Sequence, residues 1–205
     1  MEFHSADPTV VKSIKQRVLL NAWLRAPRKD TVLPFLSDFR PDGIADELAD
    51  MMSFDVDGSG DSARFLITRE GTRLTTTYGN DHIAPEKRTN RYLDDAIGPE
   101  RYARVLPCYR ACLERKRPIY SVSTVQDSDG KDVCYERLLL PFGEASNVEQ
   151  IVGSYKAISI EGGFNIQNLM GVRPKAVPAI VIRAVIDREF VPINRGSAGD
   201  IVELS

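Results

Sequence analysis

The sequence predicts an α+β fold: a five-stranded antiparallel sheet with helices on one face, an N-terminal amphipathic helix and a C-terminal extension. Three observations carry this expectation. The elements read in the order helix, two strands, short helices, one longer helix, three strands. The clearest unit is 117–142, where two β-branched and aromatic runs flank the turn Asp127-Ser128-Asp129-Gly130, with Gly130 free to take a positive φ. With 42% apolar residues among 205, the chain favours one core with extensions over two full domains. The boundaries follow as 1–28 for the N-terminal helix, 29–162 for the sheet domain and 163–205 for the extension.

The first helix is expected to start at Asp7-Pro8, a capping acid before a proline whose missing N–H does little harm there. Val11, Ile14, Val18, Leu19, Ala22 and Trp23 recur at helical spacing, and Pro27 ends the run. This reads as a helix packed on its own domain. Its alternative is a dimerisation helix, because Val10, Leu20 and Leu24 widen the apolar surface. Prolines 34 and 41 punctuate a connection to 44–51, which starts out helical. Met52, Phe54 and Val56 alternate as a first strand, and Phe65 and Ile67 as a second, joined through Asp57-Gly58-Ser59-Gly60-Asp61. Residues 71–90 are polar and fit short helices and loops. Pro99 opens a longer helix carrying Tyr102, Val105, Leu106, Tyr109, Cys112 and Leu113, and Pro107 is expected to kink or divide it. After the 117–142 hairpin, Ile151, Val152, Tyr155, Ile158 and Ile160 mark a further strand. The run 177–191 is apolar and β-branched, suited to an extra strand or arm docked on a sheet edge, of this chain or of a second copy.

Composition narrows the function classes. A net charge of −2 argues against a nucleic-acid binder, which would gather a basic face for phosphates. No apolar run approaches the ~20 residues of a membrane span, and 1–12 lacks the apolar segment of a secretory signal, so a cytoplasmic location is expected. Cys108, Cys112 and Cys134 cannot all pair within one chain and are expected as free thiols. The two histidines, His4 and His82, are too few for a zinc site with these cysteines, and His82 reads as an exposed loop residue rather than a haem ligand. Cys108 and Cys112 share a helix face; buried structural cysteine is the expected reading, with redox sensing the alternative. No Gly-x-Ser-x-Gly, phosphate-cradling glycine loop or His-Glu-x-x-His occurs.

The pieces Arg117-Pro118-Ile119-Tyr120 and Tyr135-Glu136-Arg137-Leu138-Leu139-Leu140-Pro141, around an Asp-Gly turn, resemble the late half of PAS-like sensor domains of a largely alphaproteobacterial group. Weaker support comes from Leu20-Asn21-Ala22-Trp23, Gly71-Thr72-Arg73-Leu74 and Arg91-Tyr92-Leu93-Asp94-Asp95. The resemblance spans about 22–160, departs from the family's form around 79–90, and has no counterpart for 171–205. It implies a PAS-like sheet and a sensory or regulatory module of signal transduction. Flavin photochemistry of the PAS type needs a cysteine before the longer helix, and 71–93 holds none. Non-covalent flavin remains an open alternative, and the sequence does not identify a cofactor.

Glu136 and Arg137 are neighbours in a strand and therefore point to opposite faces. A charge inside so apolar a stretch needs a partner, and Arg73 is the candidate partner of Glu136, as an orienting ion pair or, in the sharper reading, as part of a ligand site. Tyr109, Tyr120 and Tyr155 are the tyrosines expected nearest a small-molecule cavity, against a plain core-packing role. Asp94-Asp95 reads as helix-start acids. Three functions compete: a regulatory module, homodimeric, binding a small ligand or a signalling protein; an adaptor whose tyrosines pack on one another around a filled core; and a small enzyme with Glu136 or Asp94 as base.

Overall fold

The computed structural model describes residues 2–28, 32–78, 87–160, 162–167, 169 and 178–187. Their regular elements are β1 (His4–Ala6), α1 (Ile14–Arg25), β2 (Met51–Asp57), β3 (Arg64–Glu70), α2 (Thr72–Tyr78), α3 (Leu93–Ile97), α4 (Pro99–Arg115), β4 (Ile119–Gln126), β5 (Asp132–Phe142), β6 (Gln150–Ser159) and β7 (Ala179–Ile186). The expected loop at 79–86 with His82, and the parts of the extension at 170–177 and 188–205, lie outside the described residues.

The expected five-stranded antiparallel sheet with helices on one face is corrected on two counts. The sheet has seven strands in the order β1-β7-β4-β5-β6-β2-β3, and it is mixed, because β1 runs parallel to β7 while the other pairs are antiparallel. The apolar run in the extension supplies β7, which adds to the edge of β4 in the same chain, Ile119 opposite Val185 and Tyr120 opposite Ala184. Both sheet faces are also covered. On one, α3 and α4 enclose Phe54, Phe65, Tyr109, Ile119, Leu139 and Ile151; on the other, α1 and the 33–44 connection enclose Leu19, Trp23, Val122, Leu138, Leu140 and Phe142. Ile119 and Tyr120, like Leu138 and Leu139, face opposite cores, the two-sided burial that removes simple alternation from a central strand.

α1 starts later than expected. Asp7 caps only a short 3-10 turn at Pro8–Val10, and the helix begins after Ser13, whose hydroxyl accepts from the Gln16 N–H. Its buried face is Gln16, Leu19, Leu20 and Trp23, at the i, i+3, i+4, i+7 spacing of one helix side, and it packs on its own sheet. Trp23 Nε1 donates to the Pro141 carbonyl at 2.7 Å, and the Arg28 guanidinium lies 4.5 Å from its ring centre. The proline inside α4 neither divides nor ends it; the helix runs through Pro107. The carbonyl that loses its N–H partner belongs to Ala103, an exposed residue.

The β4–β5 turn is pinned from outside. One Asp127 carboxylate oxygen accepts from the N–H groups of Asp129 and Lys131, the other from Asn165, and Gly130 takes φ +80°. These backbone donors, Asn165 first, hold the Asp127 carboxyl below its ordinary range.

Trp23→Phe is expected to cost roughly 1–3 kcal/mol, because it strips the indole donor from a buried carbonyl, whereas Trp23→Ala costs about 3–5 kcal/mol through the cavity it opens. Urea unfolding of both variants checks the order, and a Trp23→Phe variant as stable as wild type would show that the hydrogen bond contributes nothing separable.

Candidate functional site

The two buried charges of β5, Glu136 and Arg137, each organise a polar group, on opposite faces of the sheet. Glu136 is 1% exposed and lies on the α1 side. Its Oε2 accepts from the Ser13 N–H at 3.3 Å, and the Tyr120 hydroxyl, which accepts from the Lys12 N–H at 3.1 Å, is bonded to the same carboxylate. The chain entering α1 therefore presents the Ser13 amide to a buried anion and the Lys12 amide to the phenol beside it. Burial first, with the Glu136 charge adding, drives the Tyr120 phenol well above its ordinary value of 10.

Next to this group, Gln16 is fully buried and its Nε2 donates to the Ser154 carbonyl and hydroxyl at 3.0 and 3.3 Å, while its Oε1 has no partner. Lys156 stands directly opposite Glu136 in the β5–β6 ladder, yet its ammonium turns to Glu47 at 2.6 Å and Asp50 at 2.5 Å. Arg73 completes that cluster, donating to Asp50 at 2.7 Å and to the Asp46 carbonyl at 2.8 Å. The expected Arg73–Glu136 pair is thus corrected. Arg73 bonds the 3-10 turn at Ala45–Asp50, which lies against α2, and Glu136 is satisfied by the α1 entry and Tyr120.

On the α4 side, the Tyr109 and Tyr155 hydroxyls meet at 2.7 Å. Phe54 packs edge-on against the Tyr109 ring and Phe65 tilts against it, and Tyr135 lies beside Tyr155. Arg137, 9% exposed, extends beneath them, its Nη1 3.8 Å from Cys108 Sγ and its guanidinium 5.8 Å from the Tyr155 ring centre. Of the three tyrosines expected together, Tyr109 and Tyr155 meet, while Tyr120 faces the other core.

Gly153 makes this arrangement reachable. A Cβ there would come within 2.5 Å of the Tyr155 hydroxyl, so the phenol lies flat over the strand only because position 153 has no side chain. A glycine inside a strand pattern was the available signal for this close approach. Gln16 was legible too, since its spacing from Leu19, Leu20 and Trp23 marks it as inward-facing. Lys156 and Ser154 alternate with Tyr155 but gave no pairing information.

The remaining candidates resolve as structure. Asp94 and Asp95 sit in the first turn of α3 and pair with Arg64 at 2.8 and 3.1 Å, while the Arg64 guanidinium lies 3.7 Å from the Tyr92 ring centre. Cys108 and Cys112 are buried free thiols, and burial pushes Cys112 well up, away from the reactive thiolate. Among the described residues, no group of three or more His, Cys, Asp or Glu is placed to hold a metal ion, and no helix is long and apolar enough to cross a membrane. No protein-family model matches the chain, and no curated protein matches it.

Two outcomes check these assignments. Because Tyr120 holds its proton more tightly in the folded than in the unfolded chain, its contribution to stability is complete below pH ~10 and is lost progressively as pH rises above that ordinary value. Tyr120→Phe should flatten that alkaline loss in urea titrations at successive pH values. Gly153→Ala should destabilise by about 1–3 kcal/mol through overpacking, and combining it with Tyr155→Ala should recover part of that loss; a full, additive loss in the double variant would show that the clash is elsewhere.

Proposed function

We propose that the chain is a cytoplasmic regulatory module of signal transduction, homodimeric, that acts through contact with a signalling protein and carries out no chemistry of its own. The observation that carries this reading is the closure of the tyrosines on one another. Tyr109 and Tyr155 bond hydroxyl to hydroxyl and are packed by Phe54, Phe65 and Tyr135, so the interior expected to be a cavity is occupied by side chains. Support also comes from the PAS-like pieces at 117–120 and 135–141, which here form adjoining strands. The carboxylates weighed as bases are engaged: Glu136 is enclosed at the α1 entry and Asp94 is paired with Arg64. Neither nucleic acid nor membrane is a partner in this reading.

A second reading, a small-ligand sensor, is favoured by one specific feature. Arg137, Ser121 and Cys108 place a cation and two polarisable groups inside the α4 core beside the tyrosine hydroxyls. A small anion or phenol acceptor would find its partners there.

Native mass spectrometry of the purified protein against its denatured mass separates the two. The expected result is a dimer with no non-covalent mass beyond two chains. A stoichiometric small molecule retained by the native protein, and lost in Arg137→Leu, would replace the first reading with the second.

A further inference from the structure

Lys156 has carboxylates within reach on both sides of β6 and engages those of one side only. It stands directly opposite Glu136 in the β5–β6 ladder, so the two side chains leave the α1 face of the sheet as neighbours. Its ammonium nevertheless leans the other way, to Glu47 and Asp50. Glu136 forms no ion pair among the described residues. It is held by the Ser13 amide, a long contact at 3.3 Å, and by the Tyr120 phenol. The turn that Lys156 does hold is a marginal element. Ala45–Asp50 is a six-residue 3-10 helix, longer than that geometry usually runs, and no side-chain bond caps it at Ile44. Within it, Glu47 is 4% exposed and pairs with Lys156 alone among the described residues, whereas Asp50 also has Arg73.

We propose that Lys156 is a two-position residue that couples the docking of the α1 entry to the docking of the 45–50 turn. With the entry in place, the Ser13 amide satisfies Glu136 and the ammonium stays with the turn. When the entry lifts, Glu136 loses that donor, and a carboxylate in so apolar a stretch needs a replacement. The cation directly across the ladder is Lys156, with only ~5 Å between the two β-carbons, so a side-chain rotation brings its ammonium over β5. Its departure leaves Glu47 buried without a cation. The turn then opens to water and loosens the Arg73 bonds that tie α2 to it. The two releases are joined by a charge that can be in only one place. α1 also touches the segment before the turn directly, Lys15 Nζ donating to the Gly43 carbonyl at 3.2 Å, and the charge variants below separate that path from the lysine.

The test is hydrogen exchange of the full chain read by mass spectrometry, with far-UV circular dichroism to confirm folding. Ser13→Pro deletes the amide donor at a residue whose φ of −64° a proline can adopt. Ser13→Ala keeps the amide and removes only the hydroxyl. Ser13→Pro should speed exchange at 44–50 by about tenfold, an ordinary size for coupling between two sites, and Ser13→Ala should not. Glu136→Gln removes the charge that draws the lysine, so adding Ser13→Pro to it should leave 44–50 as protected as in Glu136→Gln alone. Coupling is reciprocal. Glu47→Gln/Asp50→Asn should therefore speed exchange at 12–16, and should no longer do so once Lys156→Met is present. The proposal is overturned if 44–50 is unchanged in Ser13→Pro, if Ser13→Ala accelerates it equally, or if the acceleration persists with Glu136→Gln. Should Ser13→Pro not fold, the reciprocal measurement decides, and an unchanged 12–16, or an acceleration that survives Lys156→Met, overturns it.

Discussion

The pleat of β5 sends the Glu136 carboxylate to one face of the sheet and the Arg137 guanidinium to the other, and both faces are closed to water. Neither charge can be left without donors or acceptors in such surroundings. The element covering each face is therefore tied to one strand. The Ser13 amide reaches Glu136 just ahead of α1, so the helix cannot slide along the sheet without uncovering the anion. Cys108, Tyr109 and Tyr155 gather over Arg137 and set where α4 lies. One dipeptide in the central strand thereby positions both layers.

Apolar burial supplies most of the attraction in each layer, through Leu19, Leu20 and Trp23 on one side and Phe54, Phe65 and Tyr109 on the other. The polar groups contribute selectivity more than attraction. A one-residue shift of α1 would keep much of its apolar contact but would bury Gln16 and Glu136 without the Ser154 and Ser13 groups that satisfy them. The Lys156–Glu47–Asp50–Arg73 cluster applies the same constraint between β6, the 3-10 turn before β2, and α2.

The strands with alternating or β-branched runs between turn residues, β2 to β6, were legible because local pattern and pairing agree. β1 was not. His4-Ser5-Ala6 has no strand pattern of its own, and its pairing is provided by β7, its register partner from the far end of the chain. Two-sided burial was written in Leu138-Leu139-Leu140, a run too apolar for a half-exposed strand, but it does not say which element covers which face. The Arg73–Glu136 expectation failed for a related reason. Charge partners depend on which groups lie nearest, and Arg73 meets Asp50 while Glu136 is taken up by the Ser13 amide. Within the candidate site, the opposite orientation of Glu136 and Arg137 followed from the period of a strand, and the meeting of Tyr109 with Tyr155 was half anticipated. Placing Tyr120 with them required knowledge of α1's position, which no local pattern holds.

β7 lies between β1 and β4, so the chain's first strand has no place in the sheet until residues 179–186 have docked. During synthesis residues 4–6 are made well before residues 179–186 and must wait for them. Until then the β4 edge, with Val122 and Tyr120 behind it, stands open to other strands. Residues 4–6 act as a late fastener, because their pairing requires residues 179–186 to be in place already.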